Sequence, residues 1–256
     1  MKLTKNQLHK IGVVVVAIVT IFLVSFVESK QKYTLCQGVN IQIDYSNGMS
    51  FLTNKNIERI IYTEYDSLVS RHINSIEFRE IEKDIAVNPY VKSVKVYNTI
   101  QGILNIEIEQ RLPIVRIINK LERHYYIDED GYKLPISLDF SPHLPVFSGN
   151  IIEALGEDEL IVETEQLAAI LEIAKFLDKN KFWNAQIEQI YIKNSGEVIV
   201  VPRLGNHKVV IKSLEDFLNP LADLKIFYEQ VLGVVGWDTY HTINLTYDNQ
   251  IISTKR

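Results

Sequence analysis

The chain has 256 residues, of which 46% are hydrophobic and 23% are charged, values typical of a folded protein rather than a long disordered one. Its formal net charge is −5, and the residues after the first ten carry 24 basic against 32 acidic side chains, a net charge of −8. An acidic body argues against binding to a nucleic-acid backbone. The single cysteine, Cys36, excludes an intrachain disulfide and any metal site built from several cysteines.

A charge-free segment follows a short basic stretch at the N-terminus. From Ile11 to Val27 there are 17 residues without a charge. At ~1.5 Å per residue a helix of this length reaches about 25 Å, the short end for a membrane span. Three lysines precede it, so the positive-inside rule places residues 1–10 in the cytoplasm and the rest outside. A cleaved signal peptide is the alternative, but no small-residue cleavage site is evident, and we expect an uncleaved anchor.

Residues 28–38 are predicted to form a juxtamembrane linker, in which Cys36 is an unreactive thiol rather than a lipidation site. From residue 39 to residue 111 the sequence predicts strand, helix, helix, strand and strand. Thr53 is the expected N-cap of the first helix. Asn88-Pro89 should end the second helix, because proline lacks an amide donor and disfavours helical backbone in the residue before it.

The last two strands of this unit show strict alternation of apolar and polar side chains. Val94 and Val96 alternate with polar residues, and so do the apolar residues between 104 and 108. This pattern predicts an antiparallel hairpin with one apolar face, covered by a helix, and one polar face. The polar face is predicted to carry Asn105, Glu107 and Glu109.

Residues 112–256 are predicted to form a mostly antiparallel β domain with flanking helices, so the fold class is α+β. Residues 128–131 and 194–196 mark two hairpin turns. Apolar spacing predicts a helix over 165–177 and a second one over 214–231 with a break at Pro220. The chain closes with two short strands. We expect Ile243 and Leu245 to face the core, although alternation alone does not show which face is covered.

No residue pattern nominates a catalytic, cofactor-binding or metal site. The turn at 128–131 begins like a calcium loop, but Pro135 and Leu138 stand where further oxygen ligands would follow. There is no nucleophile elbow, phosphate loop or dinucleotide motif. Metal-ligand spacing is also absent among four of the histidines, His124, His143, His207 and His241. We therefore expect a binding or structural protein without a cofactor or a small-molecule substrate.

Several short motifs, by their order and spacing, resemble the FtsQ/DivIB cell-division proteins over nearly the whole chain. These motifs are Asn88-Pro89-Tyr90-Val91, the segment Leu104 to Pro113, Ile127 to Gly131, Leu144 to Gly149 and Ile243 to Tyr247. Gln110 stands where the family usually has glutamate. Asn244 and Thr246 depart from the family's "I-D-L-R-Y", so any salt bridge that relatives make through that arginine is in doubt here.

The resemblance implies a POTRA domain over 39–111 and a β domain over 112–256, both outside the inner membrane at the division septum. It implies a non-enzymatic bitopic scaffold that recruits and bridges division proteins and contributes to the control of septal wall synthesis. The implied partners are FtsB-like and FtsL-like bitopic proteins, the first adding a strand to the terminal sheet edge. By position, the residues facing that strand are Tyr247, Gln250, Ile251, Ile252, Ser253 and Thr254.

Two other classes of function stay open at this point. A POTRA-containing envelope protein for polypeptide transport or outer-membrane biogenesis is the first, although such proteins usually carry several POTRA units and this sequence predicts one. An envelope hydrolase is the second, and it would need a specific catalytic carboxylate that no pattern in the sequence nominates.

Overall fold

The computed structural model describes residues 14–22, 34–45, 48–156, 160–247 and 250–256. Residues 14–22 are helical, whereas Ile11 and Val27, the two ends of the predicted anchor, lie outside the described residues. In these ranges no helix is both long enough and apolar enough to span a bilayer. The chain folds as two compact units, Met1–Gln110 and Arg111–Arg256.

Besides the helical residues 14–22, the described part of the first unit contains one three-stranded sheet and two helices. Its elements are β1 (Gly38–Ile43), α1 (Asn54–Tyr65), a 3₁₀ turn (Ile73–Ser75), α2 (Phe78–Ala86), β2 (Val91–Asn98) and β3 (Ile103–Gln110). The strand order is β1-β3-β2, with β1 parallel and β2 antiparallel to the central β3. Helix α2 packs against β2, so the predicted hairpin with a helix over its apolar face is confirmed.

Local signals set the helix ends. The Thr53 hydroxyl accepts a hydrogen bond from the amide of Asn56, whose side chain in turn accepts from the amide of Thr53, a reciprocal capping box. Helix α1 ends at Tyr65. Helix α2 ends before Asn88-Pro89, as the proline predicts.

The prediction of an exposed Asn105 is wrong, because β3 is the central strand of the sheet. Strand β1 pairs with β3 on the side opposite β2, and Asn40 Nδ2 donates to Asn105 Oδ1 over 3.0 Å. Asn105 is 8% exposed as a result. Glu107 is half-buried and Glu109 is exposed, so the polar face is smaller than predicted.

Part of the predicted linker belongs to the first unit. The amide of Cys36 donates to the carbonyl of Arg71, and the amide of Ser70 donates to the carbonyl of Cys36. Residue 35 also forms a β-bridge with His72. Residues 34–38 are therefore packed against the unit, and Cys36 is buried.

Gln110, the residue that stands in place of the family's glutamate, uses both ends of its buried amide. Its Oε1 accepts hydrogen bonds from the amides of Phe51 and Leu52, at 3.1 and 3.0 Å. Its Nε2 donates to the carbonyl of Asp44 at 2.7 Å. An ionised glutamate would accept the first two bonds but has no proton to donate in the third.

The second unit is an open mixed sheet with helices on one face. Its described elements are β4 (Pro113–Ile118), β5 (His124–Asp128), β6 (Lys133–Leu134), β7 (Val146–Gly149), α3 (Glu165–Lys179), α4 (Lys181–Gln186), β8 (Ile187–Ile192), β9 (Val198–Pro202), β10 (Lys208–Ile211), α5 (Leu221–Phe227), a π turn (Tyr228–Leu232), a last α turn (Gly233–Val235), β11 (Tyr240–Asn244) and β12 (Ile252–Lys255).

Nine strands, counted over the described residues, follow the order β12-β11-β10-β9-β8-β7-β4-β5-β6. Most neighbours are antiparallel, as predicted, but β10–β11, β7–β8 and β4–β7 are parallel. Helices α3, α4 and α5 supply Leu167, Trp183 and Leu224 to the core on one face of this sheet. Helix α5 begins directly after Pro220, so the predicted change of structure at the proline is confirmed. The prediction that the helix begins at residue 214 is wrong, because residues 215–219 form turns.

An ion pair joins two of the motifs that carry the family resemblance. Arg111 Nη1 lies 3.0 Å from Asp128 Oδ2, and the guanidinium stacks over the Tyr132 ring. The other carboxylate oxygen of Asp128 accepts from the amides of Asp130 and Tyr132. Gly131 has φ +82°, a backbone conformation that glycine adopts without steric cost. The predicted hairpin turn is confirmed.

A second ion pair fixes the loop before α3. Lys133 Nζ, which is fully buried, lies 2.9 Å from Glu153 Oε1. The Glu153 carboxylate also accepts from the amides of Glu163 and Thr164 and from the Thr164 hydroxyl. Burial acts to raise the pKa of Glu153, but the hydrogen bonds from Thr164 and Lys133 outweigh it and hold that pKa below its ordinary value.

We predict that Gln110→Glu destabilises the first unit by about 2 kcal/mol at pH 7, because the carboxylate cannot donate the hydrogen bond that Gln110 Nε2 gives to the Asp44 carbonyl. The pKa of the new glutamate should be raised in the folded state, since only the neutral acid can donate. The deficit should therefore shrink as the pH falls towards about 4. Hydrogen exchange of peptides from residues 48–110 measures this loss of stability. Gln101→Glu, at an exposed loop position, is the matched control, and equal exchange in both variants would contradict the prediction.

We predict that Glu153→Gln destabilises the second unit by roughly 3 kcal/mol at pH 7, because it leaves the Lys133 ammonium buried without a counter-charge. Because the pKa of Glu153 is lowered in the folded protein, its carboxylate stabilises the fold fully at pH values above about 4.3, the pKa of glutamate in an unfolded chain. The difference in unfolding free energy between variant and parent should therefore shrink below that pH and vanish as the pH falls through the folded-state pKa. Denaturant unfolding followed by the fluorescence of Trp183 and Trp237 reports this unit. Glu172→Gln, which removes an exposed pair with Lys175, should cost under about 0.5 kcal/mol.

Candidate partner-binding edge

Strand β12 ends the sheet order, and in the part of the chain that is described no segment pairs with its outer side. On its inner side it pairs antiparallel with β11, matching Ile252 with Asn244 and Ser253 with Ile243. An edge strand presents backbone N–H and C=O groups that a strand of another chain can pair with. The geometry is therefore suited to strand addition.

The opposite edge of the same sheet is covered by the chain itself. The amide of Lys133 in β6 donates to the carbonyl of Leu160 at 2.6 Å, and the amide of Val162 donates to the carbonyl of Gly131 at 2.9 Å. Tyr132 and Ile161 form a β-bridge between these two bonds. The β12 edge and the β6 edge thus differ in accessibility.

Alternation along β12 divides the predicted binding residues between two faces. Ile252 is 46% exposed and Thr254 is exposed, both on the face away from the helices. Ser253 is half-buried opposite the fully buried Ile243 and so points to the helix side. Ile251 is half-buried and packs against the core.

The turn that precedes β12 places the remaining predicted residues. Asn244 Oδ1 accepts from the amide of Thr246 at 2.9 Å, which ends β11 and redirects the chain. Tyr247 is 52% exposed, and Gln250 is exposed after the two residues that are not described. Ile243 and Leu245 are buried in the core, as expected from the sequence.

Two clefts flank this edge on the helix side. The first is about 390 Å³ in volume and the second about 370 Å³, and Asp223, Gln250 and Ile251 line both. Tyr247 lines the first cleft, whereas the second is lined mainly by α5 and the π turn, through Ile226, Phe227, Gln230 and Val231. The edge strand and these clefts form one continuous surface, because they share residues.

The residues of α5 in these clefts are functional candidates that the sequence reasoning missed. The sequence feature that could have identified them is the apolar face of this helix, which is wider than packing against one sheet requires. Phe227 reaches the ring of Tyr240 in β11 at 5.6 Å, whereas Ile226 stays 50% exposed beside it. The sequence showed that the helix is amphipathic but not that its surplus apolar side chain lies at the sheet edge.

The end of the chain is attached to the turn before β10. Arg256 Nη2 donates to the carbonyl of Asn206 at 2.7 Å, and Asn206 Nδ2 donates to Asp238 Oδ1 at 3.0 Å. Gly205 in this turn has φ +83°, and a Cβ there would lie 2.9 Å from the Trp237 carbonyl. The turn therefore requires glycine.

His207, next to that turn, is a buried structural histidine. Its Nε2 lies 3.0 Å from the hydroxyl of Tyr228, and the ring is 1% exposed. Burial lowers the pKa of His207, although the Trp237 carbonyl and Asp238 act in the opposite direction. The neutral ring is the form that this site favours.

Within the described ranges, no group of three or more His, Cys, Asp or Glu side chains is arranged to hold a metal ion. The Asp128 carboxylate, the first residue of the calcium-loop alternative, is occupied by Arg111 and by two backbone amides. These contacts make the segment a hairpin turn.

Two family models match this chain. A family model described as FtsQ/DivIB, C-terminal related, matches residues 112–254, more than half of the chain. The chain belongs to the FtsQ/DivIB family. A model described as a POTRA-like domain matches residues 34–109, so it begins at the packed segment before β1. The FtsQ/DivIB match includes all but the last residue of β12, and the candidate edge is therefore part of the family region.

A relative named Cell division protein FtsQ, from Rhodothermus marinus (strain ATCC 43812 / DSM 4252 / R-10), is 27% identical over 172 residues. The aligned part is 66% of this chain and 62% of the relative, so the chain covers less than two thirds of that protein's length.

Proposed function

We propose that this chain is a non-enzymatic scaffold of the bacterial cell-division machinery, which recruits and bridges division proteins at the septum and contributes to the control of septal wall synthesis. Membership of the FtsQ/DivIB family and the name of the relative support a role in division. The observation that carries the scaffold function is the open β12 edge beside two clefts. Polypeptide transport is less well supported, because the larger family match lies in the β domain.

The proposed topology is a single-pass one. Residues 11–27 would form the anchor, with residues 1–10 in the cytoplasm and both folded units outside the inner membrane. The support is the uncharged segment preceded by three lysines, which is the charge order of a span with its N-terminus inside.

The proposed binding mode is addition of a strand from an FtsB-like partner to β12, with an FtsL-like protein as a second bitopic partner. Backbone hydrogen bonds along β12 would supply affinity, and alternate side chains would select the sequence of the partner. Ile252 and Tyr247 are the largest exposed apolar side chains among the six residues predicted from position. Thr246 offers no charge to such a partner, unlike the arginine of the family motif.

We predict that Tyr247→Ala and Ile252→Glu each raise the dissociation constant for the FtsB-like ectodomain of the same bacterium by at least about fivefold, because each loses apolar contact and the second also buries a charge. Titration calorimetry with the purified full chain measures this change. The matched controls are Tyr62→Ala and Leu138→Glu, which change exposed residues that are distant in sequence from the β12 edge. Unchanged affinity in both edge variants, with folding intact by circular dichroism, would rule out the terminal edge as the binding site.

We predict that the full chain, fused at its N-terminus to a fluorescent protein, concentrates at midcell in dividing cells. A fusion that retains only residues 1–27 should spread evenly over the membrane, because the proposed partner contacts lie in the folded units. Fluorescence microscopy of both fusions measures the ratio of midcell to lateral signal. An even distribution of the full-length fusion would contradict the division role.

A further inference from the structure

The helix-side face of the β12 edge carries an acidic group at one end and a basic group at the other. We infer that this edge selects a partner strand with a basic side chain beside Ile251 and an acidic side chain beside Lys255. The inference rests on the proposed strand addition and specifies the chemistry of the segment that is added.

The acidic group is Asp223 of α5. Its side chain lines both clefts together with Gln250 and Ile251, the two residues directly before β12. Asp223 is exposed and makes no ion pair or hydrogen bond within the part of the chain that the structure describes. The nearby lysines have other partners, since Lys212 lies 4.0 Å from Asp216 and Lys225 lies 3.8 Å from Glu229.

The basic group is Lys255, the last residue of β12. It is exposed and pairs across the strand with Tyr240, the residue whose ring contacts Phe227 on the helix side. No ion pair of Lys255 occurs among the described residues, and Arg256 beside it binds a neutral carbonyl group. Asp238, the acidic residue of the adjacent turn, is hydrogen-bonded to Asn206.

The two charges are far enough apart to act separately. Ile251 and Lys255 are four residues apart along the chain, which at ~3.3 Å per residue is about 13 Å. This separation exceeds the Debye length of about 8 Å at physiological ionic strength. A partner with the same charge at both ends would therefore gain at one end and lose at the other.

The alternation of a β-strand converts this arrangement into a sequence requirement. A strand added to β12 lies about 4.8 Å away, and every second side chain points to the helix side. Three such positions would face Ile251, Ser253 and Lys255 in turn. The partner we infer carries a basic residue, an apolar or small residue and an acidic residue at positions i, i+2 and i+4, in either chain direction. Ile226 and Val231 line a cleft together with Asp223, so they provide apolar surface at the end where the partner carries its basic residue.

Three synthetic peptides test this inference. Each has about ten residues, which is the length of a long natural strand. They share one alternating apolar sequence and differ only at i and i+4, which carry Lys and Glu, Lys and Lys, or Glu and Glu. Binding to the purified full chain is measured by fluorescence anisotropy at low and high salt. The Lys/Glu peptide should bind at least about threefold more tightly than either other peptide at low salt, a preference expected of exposed ion pairs that salt reduces.

Charge reversals on the protein should change which peptide binds best. Asp223→Lys makes both ends of the edge basic, so the Glu/Glu peptide should become the tightest ligand. Lys255→Glu makes both ends acidic, so the Lys/Lys peptide should become the tightest. Asp178→Lys reverses an exposed carboxylate on α3, outside both clefts, and should leave the original order unchanged.

The outcomes separate this inference from the proposed function. If the order of the three peptides is the same in all four proteins, or if none of the peptides binds, the charge selection is wrong. The edge remains the partner site in that case if Ile252→Glu still weakens binding of the FtsB-like ectodomain. If the peptides follow the charge reversals but the ectodomain ignores the edge variants, the charge selection stands and the proposed partner is wrong.

Discussion

An open sheet has to end, and the backbone groups of its last strand then need partners from water or from another chain. This constraint organises the second unit. At the β6 edge the chain meets it internally, by laying residues 160–162 along the strand. At the β12 edge the described chain provides no such cover, and the exposed side chains and clefts concentrate there. Such an edge can select its partner, because the side chains on the two faces of an added strand are recognised separately.

Buried polar contacts stabilise both units, and some of them involve residues within the motifs of the family resemblance. Gln110 satisfies three backbone groups of the loop between β1 and α1 in the first unit. Arg111, the next residue, neutralises Asp128 in the turn between β5 and β6 of the second. Both residues therefore stabilise the unit in which they lie. The Lys133–Glu153 pair plays the same part for the loop that covers the β6 edge.

Most of the element order was predictable because its signals are local. A capping residue at Thr53, a proline at position 89 and glycine turns at 131 and 196 act on neighbouring backbone, so they can be read without the fold. Exposure was less predictable. The sequence pattern predicts an exposed Asn105, but β1 pairs with β3 at this position and places Asn40 within hydrogen-bond distance of it.

By itself, the sequence determined the α+β class, the alternation of the terminal strands, the uncharged N-terminal segment and the absence of any recognisable catalytic motif. These properties depend on residue type and spacing alone. The tertiary structure decided that Ile243 and Leu245 face the core, that Ile252 faces solvent and that Asp223 and Ile251 line the same clefts. Alternation cannot state which face of a strand will be covered, and the contact between α5 and the sheet edge joins residues about thirty positions apart. The candidate binding surface is therefore a product of packing between distant segments.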